Sequence, residues 1–341
     1  MDKRVILAVA GSGKTNYLVN SLTEDSRALI LTYTDINTTN LTTRIIKKFG
    51  YIPEGIRIYK YFSFLYSFCF RPVLGHQIRS IGISWNQPPL YKKKADIAHY
   101  RDNSNRLYGS RLAKLLIEYN SMPEVISRIE KYFDYIYVDE VQDFASNDFN
   151  FLCQLVHSKI DLTVVGDFYQ HSFDTSRDGT TQTNLHESYE IYLSKLAAAG
   201  FTIDLTSLSH SHRCSPTVCA FVSEHVGIAI QSHREDITEL RLIDCPTQAE
   251  RLFNCNNTVK LFYQSSDKYP GYTNNWGAVK GQDCYEDVCV VLNDNTLKLF
   301  SAANLNNLAS LTKNKFYVAC TRAKRNLYFV PEKIFKHYKK S

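Results

Sequence analysis

The first residues able to do chemistry are Ala8-Val9-Ala10-Gly11-Ser12-Gly13-Lys14-Thr15, which follow an apolar run and precede a helix-like stretch. Glycines in such a turn let the backbone N–H groups of Ala10, Gly11, Ser12 and Gly13 face inward around phosphate oxygens. A helix start adds partial positive charge at the same place. In that setting Lys14 reaches the β- and γ-phosphates and the Thr15 hydroxyl ligates Mg²⁺. The general pattern has glycine where this chain has Ala8. A second cluster, Asp139-Glu140, closes the apolar run DYIYV. A carboxylate at a strand tip can hold Mg²⁺, and its neighbour can orient or deprotonate a water. The run VVGDFYQ offers Asp167 and Gln170 in the same way. Phosphoryl transfer also gains from a cation at the transition state. Arg213, in LSHSHRCSPTVCAF, and Arg322, in YVACTRAKRNLYF, could supply one. Taken alone, each also reads as a surface or capping arginine.

These residues need strands and helices to place them. Short, apolar, β-branched runs at 4–10, 27–33, 134–138 and 161–165 predict buried strands, with helix-like segments between them. Residues 56–70 form an aromatic cluster, and 90–131 are basic with a helical pattern, carrying Lys92, Lys93, Lys94, Arg101, Arg106, Arg111 and Lys114. Later strand-like runs at 258–263, 288–292 and 326–330 alternate with helical stretches at 215–230 and 309–318. Strands alternating with helices predict parallel sheets with crossovers. The expectation is an α/β protein with a first lobe over 1–200, a small helical insertion at about 70–130 within it, and a second lobe over 201–341.

The chain has 341 residues, 44% apolar and 22% charged, with a net charge of +6. This composition is globular, and its mild positive excess suits a polyanionic partner without requiring one. With 23 Tyr and 19 Phe the chain could stack nucleobases, although core filling accounts for most aromatic residues. Nine cysteines lack C-x-x-C spacing. The C-x4-C pairs Cys214/Cys219 and Cys284/Cys289 leave a metal site open, but reduced thiols in a cytoplasmic protein are the simpler reading. No stretch approaches membrane-span length, and the N-terminus lacks a signal-peptide pattern.

The order of blocks AVAGSGKT, LTYTDINTTNLTTRI, YVDEVQDF, VVGDFYQ, LSHSHRCSPTV, GAVKGQDCYEDVCVV and YVACTRAKRNLYF resembles the successive motifs of UvrD/Rep-like superfamily 1 helicases. The resemblance runs from about residue 5 to residue 330. It implies two RecA-like lobes, each a mainly parallel sheet flanked by helices, with ATP in the cleft between them. It assigns phosphate and Mg²⁺ binding to Lys14 and Thr15, Mg²⁺ binding to Asp139, water activation to Glu140 and γ-phosphate sensing to Gln170. Arg213 and Arg322 match its two arginine fingers. His212 stands where a base-stacking tyrosine is usual, and Asp283, after Gly281, where a glutamate meets the ribose. Tyr33, Thr34, Phe64 and Tyr169 fall in stretches resembling the strand-contacting motifs. Thr175 stands where an aromatic residue is common.

Two departures matter. The family's adenine-reading glutamine motif upstream of the loop is not in this sequence, which leaves preference for ATP over GTP open. The stretch 213–280 is too short for the family's large second-lobe insertion. The resemblance therefore implies an ATP-dependent translocase or helicase on single-stranded DNA, moving 3′ to 5′ and working with a protein partner. A nucleic-acid-independent ATPase switch regulating a partner such as a nuclease, and an RNA helicase, remain as alternatives. Compact motors of this kind fit phage-defence or mobile-element systems.

Overall fold

Most short apolar runs expected to be buried strands are strands in the computed structural model of the protein, which describes residues 1–89, 93, 96–171, 176 and 178–340. The chain divides into two units. The first comprises residues 1–7, 14–166 and 173–204, the second 8–13, 167–172 and 205–341.

In the first unit the strands are β1 (Lys3–Leu7), β2 (Ala28–Thr32), β3 (Ile56–Lys60), β4 (Gly82–Ser84), β5 (Arg106–Tyr108), β6 (Tyr135–Val138), β7 (Asp161–Gly166) and β8 (Thr202–Asp204). Six of them form one sheet in the order β3-β2-β6-β7-β1-β8. Every pairing in it is parallel, with Val5 opposite Val164 and Leu29 opposite Ile136. A parallel sheet needs cover on both faces, so its strands read as continuous apolar runs. β2 is the clearest case, because all five residues are buried. Since the strands are parallel, their C-terminal tips lie along one edge, the edge where open α/β sheets bind ligands. The run expected as a strand over 4–10 ends at Leu7.

The aromatic stretch 56–70 is composite. It begins as β3 and continues through a helical turn into a π-helical turn, Phe64–Phe70. Among the described residues, the α-helical pattern over 90–131 holds for Gly109–Glu118 and Met122–Tyr132, with a single 3-10 turn at Ile97–His99 before them. Ahead of the two helices, the Asp102 carboxylate accepts from Ser104 N and Arg106 N at 2.9 Å each, and Asn105 sits at φ 60°. This turn chemistry overrides a helix there and delivers β5 beside β4 as a two-stranded ribbon.

In the second unit the strands are β9 (His210–Ser211), β10 (Gln231–Ser232), β11 (Leu240–Leu242), β12 (Thr258–Phe262), β13 (Thr273–Asn275), β14 (Asp287–Leu292) and β15 (Leu327–Pro331). Five form a parallel sheet in the order β11-β15-β14-β12-β13. Trp276 is fully buried in its core, with the indole N–H donated to Leu261 O at 2.8 Å. The helix expected at 215–230 stops at Phe221. A π-helical turn, Val222–Val226, follows and ends at Gly227, whose φ of 72° closes it. The helix Ser310–Cys320 carries the last motif into β15. Both units are thus α/β layers built on parallel sheets. Among the described residues no helix is long and apolar enough to cross a membrane.

Candidate nucleotide-binding and catalytic residues

In the first unit, Lys14 and Thr15 open the helix Lys14–Asn20, and both are half-buried. Asp139 and Glu140 leave the tip of β6, and Asp139 N–H is tied to Leu31 O at 2.9 Å. The two residues are only 3% and 8% exposed. Glu140 has φ 58° and ψ 47°, a left-handed backbone that costs a non-glycine residue roughly 1–3 kcal/mol. Contacts around it hold that conformation. Glu140 N–H donates to Asp139 Oδ1 at 2.9 Å, and Gln142 Nε2 donates to Glu140 Oε2 at 2.6 Å. Gln142 is itself fully buried. Adjacent, nearly buried carboxylates repel each other and lose hydration, so a bound cation would relieve both penalties. With the Thr15 hydroxyl, Asp139 supplies the hard oxygen donors that suit Mg²⁺. That Gln142 pins one oxygen of Glu140 was not legible from the motif alone.

In the second unit, Gly11 has φ 72°. A Cβ there would stand 2.6 Å from Arg213 Cβ and 2.7 Å from Ser211 Oγ, so only glycine fits. Gly11 O accepts from His212 N at 2.9 Å, and Ala10 N donates to the Tyr317 hydroxyl at 2.9 Å. That hydroxyl in turn donates to Asp167 Oδ2 at 3.0 Å. Asp167 also accepts from Gln170 Nε2 at 2.9 Å and from Tyr169 N at 3.1 Å. Burial and the Asp167 carboxylate push the Tyr317 phenol well above its ordinary range, so the hydroxyl remains a donor. Tyr317 was not singled out from sequence, because within FYVAC it reads as apolar helix filling. The Ser12 side chain is buried with no hydrogen-bond partner for its hydroxyl among the described residues.

The two arginines are placed by the same unit. Arg322 is 2% exposed, and donates from Nη1 to Gln282 O at 2.9 Å and from Nε to Val318 O at 3.3 Å. Burial, then repulsion from Arg213, lowers its pKa to about 10, which leaves it a cation at neutral pH. Arg213 pairs with Asp283 at 2.7 Å and donates to Thr321 O at 3.3 Å. The carboxylate expected at the ribose is therefore engaged by an arginine in the structure. Gly281 has φ 78° in the turn before it. His212 is exposed, and its ring is stacked on His233 at 4.1 Å and 10°.

The nucleic-acid candidates divide. Tyr33 is half-buried, in ring contact with Phe62 at 5.5 Å. Thr34 caps the helix Asp35–Phe49, accepting from Asn37 N at 3.1 Å. Phe64 is corrected. It is fully buried, stacked on Phe68 at 5.4 Å, and a ring in the core cannot meet a base. Period-two reading of the cluster fails here because the chain turns helical at Tyr61. Tyr169 is half-buried against Tyr317 at 6.1 Å. Of the basic stretch, Arg111 and Lys114 both pair with Asp178 inside the first unit, so they are structural. Lys92, Lys94 and Thr175 lie outside the described residues. All nine cysteines are free, and among the described residues no group of three or more His, Cys, Asp or Glu could hold a metal.

Residues 86–175 match the family described as UvrD/REP helicase N-terminal domain. Among solved structures, the PRRSV helicase is similar at 13% identity and a TM-score of 0.49, covering 96% of this chain and 52% of that one. Arterivirus nonstructural protein 10, a helicase in complex with DNA, is similar at 13% identity and a TM-score of 0.48, covering 97% of this chain and 61% of that one. The chain thus spans little more than half the length of these structures. No curated protein matches it in sequence. The matched segment contains the Asp139-Glu140 strand tip and the VVGDFYQ run, so this stretch of the chain is similar to the UvrD/REP helicase N-terminal domain.

Proposed function

We propose that the protein is an ATP-driven motor acting on a single nucleic-acid strand. The observation that carries this reading is the carboxylate pair at the tip of β6, with Glu140 held in a left-handed backbone by Gln142 and Asp139. Lys14 balances charge on the terminal phosphates. Thr15 and Asp139 would hold Mg²⁺, which supplies charge neutralisation on the phosphate oxygens. Glu140 orients the attacking water and accepts its proton. Gln170 senses the γ-phosphate, and Arg213 and Arg322 stabilise the charge of the transferring group. Ala10, Gly11, Ser12 and Gly13 cradle the phosphates, and His212, Gly281 and Asp283 border the nucleoside.

DNA is the favoured strand, from the VDE-x-QD form of the motif, and 3′-to-5′ movement is taken from the family resemblance. We further propose that a protein partner completes the machine and that it works in the cytoplasm, where nine free thiols are at home. The roles are tested with Glu140→Gln, which keeps the size and one hydrogen-bonding oxygen. It should bind nucleotide within a few-fold of wild type and hydrolyse it about 10²–10⁴-fold more slowly, the usual worth of a positioned base. Turnover within three-fold of wild type would remove Glu140 from the mechanism.

A further inference from the structure

The first unit carries an exposed aromatic side chain outside the motif blocks. Trp85 directly follows β4 and is 69% exposed, although tryptophan is the costliest side chain to leave in water. It is not a loose side chain. Its ring meets Phe62 edge-on at 4.9 Å, and Phe62 meets Tyr33 at 5.5 Å and 77°. Behind it lies Gly109, the first residue of its helix. A Cβ at Gly109 would stand 2.8 Å from Trp85 Cζ3 and 3.1 Å from Cε3, so the ring packs against bare backbone that only glycine leaves room for. The result is a row, Tyr33–Phe62–Trp85, that begins in the motif stretch expected to face the strand and ends on an open indole.

The chemistry around the row fits a polyanion. In sequence, 79–106 carries six Lys or Arg residues (Arg79, Lys92, Lys93, Lys94, Arg101 and Arg106) against two carboxylates, Asp96 and Asp102. Arg106 opens β5 opposite Gly82 of β4, Arg79 and Arg101 precede the two strands, and Arg101 donates to Arg79 O at 2.6 Å. Asp102 pairs with Arg106 at 3.0 Å and offsets part of that charge. An exposed indole fixed by its neighbours, on a ribbon that carries arginines at its other end, is what a strand-binding surface presents, because every base has a face to stack and every link a phosphate.

We infer that Trp85 is a base-stacking platform for single-stranded nucleic acid, extending the contact row outward from Tyr33 along the β4–β5 ribbon. This rests on the motor reading above and adds a binding residue that the motif order does not mark. The chain makes the test direct, because its only other tryptophan, Trp276, is fully buried. Adding a short oligothymidine should quench the tryptophan emission, and Trp85→Phe should remove most of that quenching. Anisotropy of a labelled oligothymidine should show Trp85→Ala weakening binding on the order of ten-fold, the loss expected for one stacked base. Trp85→Phe should weaken it less. Gly109→Ala keeps a good helix former and displaces the ring, so it should fall between them. Thermal melts of all three variants identify any that misfold, and Gly109→Ala and Trp85→Phe carry the test if Trp85→Ala does. Wild-type binding with no quenching and no loss in the variants overturns the inference while the motor reading stands. No binding of oligothymidine by the wild type overturns both.

Discussion

Removing one hydroxyl, in Tyr317→Phe, should disturb both stability and turnover. That oxygen accepts from Ala10 N–H at 2.9 Å and donates to Asp167 Oδ2 at 3.0 Å. Ala10 and Tyr317 are fully buried and Asp167 is 1% exposed, so no solvent replaces the lost partner. A buried donor deprived of its acceptor costs about 1–3 kcal/mol, and a hydrogen bond to a charged group contributes about 1.5–3 kcal/mol. Asp167 keeps Tyr169 N and Gln170 Nε2, so the two costs do not add in full. The expected loss is about 2–4 kcal/mol, which lowers the melting temperature by roughly 5–15 °C. The phosphate loop also loses an anchor at Ala10, and ATP turnover should fall on the order of ten-fold or more. Differential scanning fluorimetry and a coupled ATPase assay measure the two effects. A melting temperature within about 1 °C of wild type, with unchanged turnover, would refute the reasoning that the hydroxyl ties Ala10 to Asp167.

Two further perturbations follow from the first unit. Gly166→Ala would place a Cβ 2.3 Å from Gln142 Oε1 and 2.7 Å from Val141 Cγ1, so Gln142 must leave Glu140. Overpacking of this kind costs about 1–3 kcal/mol, and hydrolysis should fall more than nucleotide binding does, as read by kcat against nucleotide affinity. The third concerns acid. Burial pushes the Asp178 carboxyl up, but hydrogen bonds and charge from Lys114 and Arg111 outweigh it and hold it below the ordinary carboxylate range. A lowered folded pKa contributes stability that is present above about pH 4 and is lost as the pH falls through the folded value. Asp178→Asn leaves Arg111 buried without its charge partner, so it should cost about 3–5 kcal/mol at pH 7. Melting curves from pH 7 to pH 2 should show a smaller acid loss in the variant, and an identical loss would sink the assignment.

Much of the fold was legible because the chemistry sits where strands end. β2, β6, β7, β12, β14 and β15 are short, β-branched and nearly all buried, and each was readable as a strand from its apolar run. The fold class followed from their alternation with helices. Local chemistry that defeats periodicity was not legible. The Asp102 turn replaces helix with β5, and the π-helical turn at Phe64–Phe70 rotates Phe64 into the core. Supporting contacts were equally hidden. Tyr317, Gln142 and the Arg111–Asp178 pair act through partners far away in sequence, and their own neighbourhoods read as ordinary helix or loop. Trp85 carried a weak signal, since a tryptophan among Gly, Ser, Asn, Gln and Pro is out of place in a loop. Its meaning needs Phe62 and Gly109 beside it.

The central claim is that nucleotide hydrolysis is driven by this phosphate loop and coupled to a bound strand. The most direct measurement is steady-state ATP hydrolysis with and without single-stranded DNA, with single-stranded RNA as competitor and Lys14→Ala as background. The account predicts that DNA raises the wild-type rate at least several-fold, and that Lys14→Ala hydrolyses nothing above background because the main cation on the transferring phosphate is gone. A rate indifferent to every nucleic acid would contradict the motor and leave an ATPase switch, and undiminished turnover by Lys14→Ala would contradict the site itself.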